Sequence, residues 1–148
     1  MLDSISDNDL DVEYRKRFFL KAGSQVSSSK EAARHLTSLL CEDPIREAFA
    51  VMFLNGNNCL IACEILFKGT LTTSAVYPRE VVVHALKNNS VAIVISHNHP
   101  SGNLAASHDD VNITNKIRAA VETVDIALHD HIIVSSGGFF SFADQGLL

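Results

Sequence analysis

The sequence lacks the features that send a protein into or across a membrane. Its longest apolar stretch, from Ala48 to Leu54, is far shorter than the roughly 20 residues of a membrane-spanning helix. The N-terminus is acidic and has no basic residue before Arg15, whereas a signal peptide begins with positive charge and continues with an apolar run. We therefore expect a cytoplasmic protein with no membrane partner.

An excess of positive charge is also missing. Lys and Arg number 12 against 17 Asp and Glu, which gives a net charge of −5 at pH 7. Proteins that hold duplex DNA through its phosphates usually carry a basic face. The totals give no sign of such a face, so we expect any binding of DNA to be weak and without sequence preference.

Paired cysteines are absent as well, since Cys41, Cys59 and Cys63 form no Cys-x-x-Cys motif. If Cys59 and Cys63 share a strand, four residues separate them by about 13 Å. A disulfide requires Cα atoms within about 7 Å of each other. Free, buried thiols are therefore expected, which agrees with a reducing compartment.

The chain has the length of about one domain, with 148 residues, 47% of them hydrophobic and 20% charged. Residues 1–26 form a polar lead-in, and residues 27–148 alternate between helical and strand-like patterns. Local signals mark a helix start at Ser28-x-x-Glu31, a hairpin turn at Asn55-Gly56 and a helix beginning with Pro78. The predicted helices cover about 29–41 and 78–87, with a third beginning at 107. The predicted strands cover 48–54, 59–67, 91–95, 126–128 and 131–134 (a pair or one long strand) and 139–142. This order predicts an α/β or α+β fold with a mixed central sheet.

Two histidines follow the buried strand predicted over 91–95, in a loop expected to begin at residue 96. Because residues two apart in an extended chain point to the same side, His97 and His99 should present both imidazoles to one point. Pro100 and Gly102 then allow a sharp turn. The chain can therefore double back toward the two imidazoles.

A helix start follows the turn at Ser107-x-x-Asp110. Alone, this pattern is typical of an ordinary helix cap, and His-x-His alone is a weak signal for a metal. Their combination favours a metal site, because two imidazoles and one carboxylate, with water in the fourth position, form the open zinc site of hydrolases. Such an ion lowers the pKa of its water to about 7 and polarises a scissile carbonyl.

The same residues resemble a known family. His97-x-His99-Pro100 followed by Ser107-x-x-Asp110 is similar to the JAMM motif of the JAB1/MPN+ metalloproteases. The longer string His97-Asn98-His99-Pro100-Ser101-Gly102 resembles the bacterial RadC branch, historically described as DNA repair proteins. The resemblance covers about residues 27–148, and five further segments agree with it: Phe67-x-Gly69-Thr70-Leu71, Tyr77-Pro78-Arg79-Glu80-Val81, Val124-Asp125-Ile126, Asp130-His131-Ile132-Ile133-Val134 and Ser141-Phe142-Ala143.

The resemblance implies an MPN/JAB1-like (cytidine deaminase-like) fold, in which helices flank a mixed sheet. It implies His97, His99 and Asp110 as Zn²⁺ ligands, Ser107 as a hydrogen-bond donor near the oxyanion and Glu47, just before the first strand, as general base. The implied reaction is hydrolysis of an amide, peptide or isopeptide bond in a peptide or protein substrate by metal-activated water.

Several alternatives remain open at this point. Ala106 stands where the family usually has proline, and residues 1–26 hold at most a remnant of the family's N-terminal helix-hairpin-helix region. Glu64 is a second candidate base, and the Asp130-His131 pair either orients a ligand or forms a buried hydrogen-bonded pair. The competing functions are a DNA-repair accessory protein, a metal-dependent nuclease and an interaction module without catalysis.

Overall fold

The computed structural model describes residues 5–43, 45–69 and 76–148. Pro44, which is expected to end the segment after the first predicted helix, and the Thr70-Leu71 part of the family-like segment lie outside this range. The helices are α1 (Asp7–Phe18), α2 (Ser29–Leu40), α3 (Pro78–Lys87) and α4 (His108–Glu122). The strands are β1 (Ala48–Leu54), β2 (Leu60–Lys68), β3 (Ala92–Asn98), β4 (Ala127–Ser135) and β5 (Gly138–Ser141).

The strands form one mixed sheet with the order β2-β1-β3-β4-β5. β1 pairs antiparallel with both β2 and β3, and β4 pairs antiparallel with β5. β3 and β4 are parallel neighbours, and α4 is the crossover between them. The predicted class, a mixed sheet flanked by helices, is confirmed.

Helices cover both faces of the sheet, so its central strands are buried on both sides. α2 packs on one face, and α3 and α4 pack on the other. Alternate residues of a strand point to opposite faces. The core on the α2 side includes Leu36, Leu40, Ala50, Met52 and Val94. The core on the α3/α4 side includes Phe49, Val51, Val81, Ile95 and Ile117.

β3 is longer than its apolar run predicts. The prediction of a strand over 91–95 and a loop from residue 96 is wrong at its C-terminal end, since β3 continues to Asn98. The reason is pairing on both edges: His97 lies opposite Phe49 of β1 and Ile133 of β4. Hydropathy marks the apolar part of a strand, whereas ladder pairing decides where the strand ends.

Other local predictions are refined by the structure. β4 is one long strand rather than a pair. The hairpin between β1 and β2 forms, but its positive φ lies at Asn58 (57°) instead of in the Asn55-Gly56 pair. Ser28 caps α2 by accepting the amide of Glu31, whose carboxylate accepts hydrogen bonds from Ser27 rather than completing a box with Ser28.

The residues before α2 are bound to the rest of the domain at several points. Gln25 forms an isolated antiparallel bridge with Cys59, and the Leu20 amide donates to Nδ1 of His35 over 2.8 Å. The three cysteines are free and half-buried, and burial raises the pKa of Cys63 to about 12. No helix within the described ranges combines the length and apolar character of a membrane span.

Candidate metal centre

Three side chains converge where β3 ends and α4 begins. Nε2 of His97 lies 2.9 Å from Nε2 of His99 and 3.1 Å from Oδ1 of Asp110. Nε2 of His99 lies 3.6 Å from Oδ2 of Asp110. Tetrahedral zinc with bonds of about 2.0–2.1 Å separates its ligand atoms by roughly 3.3 Å. The observed separations lie on both sides of that value, so the three groups are already spaced for one ion.

The hydrogen bond of His99 determines which ring nitrogen faces this point. Its Nδ1 lies against the backbone oxygen of Asn103. A carbonyl oxygen only accepts hydrogen bonds, so Nδ1 must carry the proton. In the neutral ring, Nε2 of His99 then has its lone pair directed at His97 and Asp110.

A chain of hydrogen bonds assigns the proton of His97 in the same way. The Thr114 hydroxyl must donate to the backbone carbonyl of Asp110, so it accepts from Nδ1 of His131. Burial holds the pKa of His131 well below its ordinary value, which favours the neutral ring. Its Nε2 is therefore an acceptor for the Nδ1–H of His97 at 2.8 Å. The remaining nitrogen of His97, Nε2, faces the cluster as a lone pair.

The resulting donor set fits a divalent metal ion. With both rings neutral and their outer nitrogens protonated, two imidazole lone pairs and a carboxylate face one another. Such an arrangement is repulsive unless a proton or a metal ion lies among the three groups. Imidazole nitrogen and carboxylate oxygen together suit zinc and several other divalent ions.

Asp110 is both a helix cap residue and a member of the cluster. Its amide donates to Oγ of Ser107 over 3.1 Å, and its Oδ2 accepts from the Ser107 amide over 2.8 Å. Burial pushes the pKa of Asp110 upward, but a proton shared with Nε2 of His97 and the hydrogen bonds of Ser107 outweigh it and hold that pKa well below its ordinary range. The two interpretations of Ser107-x-x-Asp110 are thus compatible, because the cap aims the carboxylate at the imidazoles.

The predicted site residues all border one open cleft of about 740 Å³, and these are Glu47, His97, His99, Ser107 and Asp110. Glu47 reaches it because β1 is antiparallel to β3. Phe49 lies opposite His97, so Glu47, two residues earlier, falls beside His99. The Ser107 hydroxyl uses a lone pair in the cap, which leaves its hydrogen available for donation.

The other candidates lie elsewhere or act differently. Oε2 of Glu64 bonds to Nδ1 of His84 at 2.9 Å, between β2 and α3, and Glu64 does not line the cleft. The Asp130 carboxylate accepts from the amides of His131 and Ala143 and from the Ser141 hydroxyl, so it joins β4 to the segment after β5. Of that pair, His131 contacts one of the three candidate ligands, His97.

Sequence reasoning missed Thr114 and the role of Asn103. Thr114 follows Asp110 by four residues, and this helical spacing places both on the face of α4 that meets the sheet. That spacing is a signal that could have identified Thr114. The contact between Asn103 and His99 depends on the loop conformation, for which the sequence has no comparable signal.

The chain is similar to known proteins over most of its length. A family model described as a RadC-like JAB domain matches residues 26–147. A UPF0758 protein of Acidovorax sp. (strain JS42) is 45% identical over 124 residues, which are 84% of this chain and 52% of that protein. A UPF0758 protein of Photobacterium profundum is 46% identical over 129 residues, which are 87% of this chain and 57% of that protein. The chain therefore spans about half the length of these curated relatives.

Proposed function

Since the chain belongs to the family of RadC-like JAB domains, we propose that it is a zinc-dependent hydrolase that cleaves a peptide or isopeptide bond. One observation carries the proposal. The three convergent lone-pair donors lie in the same cleft as a further carboxylate, Glu47, and a hydroxyl, Ser107. Metal-assisted hydrolysis needs these kinds of groups in addition to the ligands.

His97, His99 and Asp110 would hold the ion. When bound, a zinc ion supplies Lewis acidity, which makes water acidic enough to attack at neutral pH and polarises the scissile carbonyl. The hydrogen bonds of His131 and Asn103 to the outer nitrogens keep both imidazoles in the tautomer that binds a metal. These partners also fix the orientation of each ring.

Glu47 and Ser107 supply what the ligands do not. The Glu47 carboxylate accepts the proton of the attacking water and passes it to the leaving amine. Ser107 lies at the N-terminus of α4, where its hydroxyl and the positive end of the helix dipole favour negative charge. The hydroxyl donates a hydrogen bond to the oxygen that becomes negative during attack.

The test is hydrolysis of a peptide and isopeptide library by the zinc-loaded protein, with Glu47→Gln as the decisive variant. This change keeps the shape and polarity of the side chain but removes its ability to accept a proton. We expect turnover to fall by about 10²-fold or more, whereas the metal content and the unfolding temperature stay at the wild-type values.

Asp109→Asn is the matched control, because it removes one negative charge from the same cleft and Asp109 is neither a proposed ligand nor a proposed catalytic group. It should leave turnover near the wild-type rate. Undiminished turnover in Glu47→Gln would remove Glu47 from the mechanism, and Glu64→Gln would then be tested. Failure of the wild type to cleave any member of the library would contradict the proposed function.

A further inference from the structure

Asn98 lies between the two histidine ligands, but its side chain is on the other side of the sheet. In β3, His97 shares a face with Phe49, so Asn98 points to the opposite face, toward α2. The residue is 2% exposed. Its Oδ1 accepts the amide of Ala48 over 2.7 Å, and its Nδ2 donates to the carbonyl of Arg46 over 2.9 Å. Both bonds thus reach the residues on either side of Glu47.

This amide continues the sheet past the point where the strand pairing stops. The paired residues of β1 and β3 end at Phe49 and His97. Beyond them, the Asn98 side chain provides one acceptor and one donor to the neighbouring backbone, as a further strand residue would. On the other side, the carbonyl of Glu47 accepts the amide of Gly69 over 2.9 Å. The backbone around Glu47 is therefore held from both sides.

The segment before Glu47 is exposed, and its other support comes from Asp43, whose carboxylate accepts the amides of Ile45 and Arg46. Ile45 is 82% exposed, and Arg46 is also exposed. Glu47 itself is half-buried at the cleft, whereas Ala48 is already part of the core. The two bonds from Asn98 thus fall where the chain passes from an exposed loop into β1, one on each side of Glu47.

We propose that Asn98 is the positioning residue for Glu47, holding the backbone on both sides of it so that its carboxylate stays beside the ligands. The inference rests on the proposed function, in which Glu47 is the general base. Since Asn98 is covalently joined to His97 and His99, one short segment fixes both the ligands and the base. A displacement of about 1 Å in such a group is enough to cost roughly 10²-fold in rate.

The test compares Asn98→Leu, which has a similar volume and makes neither bond, with Ser96→Ala. Ser96 is the matched control, because it lies on the same face of β3 and its buried hydroxyl donates to a backbone oxygen over 2.6 Å. That oxygen belongs to Ile132 of β4, so loss of this hydrogen bond leaves the Glu47 segment intact. If Asn98→Leu does not fold, Asn98→Ala takes its place. Each variant is measured for kcat, KM, zinc per chain and amide hydrogen exchange.

We expect Asn98→Leu to lower kcat by roughly 10- to 100-fold with KM and zinc content unchanged. Exchange should become faster at the amides of Ala48 and Gly69 but not in the centre of β3. In a Glu47→Gln background, the same substitution should have almost no further effect, because the base that Asn98 positions is already absent. Ser96→Ala should leave kcat unchanged.

Two results would overturn the proposal. The first is that Asn98→Leu lowers kcat by the same factor in the wild type and in the Glu47→Gln background. The second is that Ser96→Ala lowers kcat as much as Asn98→Leu does. Either result would show that Asn98 acts only through general stability. If the wild type cleaves no substrate, the proposed function fails separately. The positioning role of Asn98 is then tested by hydrogen exchange at the Gly69 amide, and an unchanged exchange rate in Asn98→Leu would exclude that role.

Discussion

Thr114→Val tests whether the hydrogen-bond chain behind His97 controls metal binding. The substitution is nearly isosteric, and the site is 1% exposed, so packing changes little. It removes the hydroxyl that donates to the Asp110 carbonyl and accepts the Nδ1–H of His131. His131 then has no acceptor that holds its proton on Nδ1. If that proton moves to Nε2, His131 donates to Nδ1 of His97. The proton of His97 must then lie on its Nε2, the nitrogen that faces His99 and Asp110.

The size of the effect follows from the interactions that are lost. The buried Nδ1–H of His131 loses its acceptor, and an unsatisfied buried group costs about 1–3 kcal/mol. Loss of a hydrogen-bond partner behind a ligating histidine weakens metal binding by about 10- to 100-fold. We therefore expect the zinc dissociation constant of Thr114→Val to rise by that factor, which corresponds to about 1.4–2.7 kcal/mol.

Competition with a chromophoric chelator measures this constant directly. The matched control is Thr123→Val, since the Thr123 hydroxyl donates to the carbonyl of Ala119 on the same helix, four residues earlier, over 2.8 Å. No histidine takes part in that bond, and its loss should leave zinc affinity unchanged. Wild-type affinity in Thr114→Val would refute the assigned tautomers, and an equal loss in both variants would attribute the effect to α4 alone.

Three further predictions concern the metal, the nucleic acid and the core. His97→Ala or Asp110→Ala should lower the zinc content sharply from about one ion per chain, whereas Cys59→Ala should retain it; equal elemental analyses for all three variants would rule the site out. Duplex DNA should bind weakly and without sequence preference at physiological ionic strength, since the net charge is −5; tight, salt-sensitive binding in a titration would contradict this. Burial lowers the pKa of His35 from 6.5 to about 4, so the unfolded state binds its proton first as the pH falls. The contribution of His35 is complete above pH 6.5 and should decline by about 2–3 kcal/mol toward pH 4. Urea unfolding of the metal-free protein should show this decline, and His35→Gln should reduce it; equal pH dependence in both proteins would refute the assignment.

The cluster of His97, His99 and Asp110 could be predicted from the sequence because its determinants are local. His97 and His99 are two residues apart at the end of an apolar run, and Asp110 sits in a capping pattern that fixes its own orientation. Neither feature depends on knowing which strands are neighbours. The fold class could be predicted as well, because it follows from the order of helices and strands along the chain and does not require the strand neighbours to be known.

The groups behind the ligands could not be predicted in this way. His131 meets His97 only because β3 and β4 are parallel neighbours, with His97 opposite Ile133. Asn98 reaches Ala48 across 50 positions in the sequence, and that contact depends on the register of β1. Sheet order and register are set by packing of the whole domain, so the motif identifies the candidate ligands but not the residues that hold them in place.

Asp110 shows why the site and the fold are difficult to separate. Its carboxylate faces the imidazoles and accepts the Ser107 amide, its own amide completes the cap, and its carbonyl accepts the Thr114 hydroxyl. Asp110 therefore affects three features at once: the start of α4, the direction of its own carboxylate and the tautomer of His97. A cation among the three acceptors would relieve their repulsion and favour the capped helix at the same time. Because ligands of this kind bind only when they are brought together by folding, the free energy of metal binding is also free energy of folding.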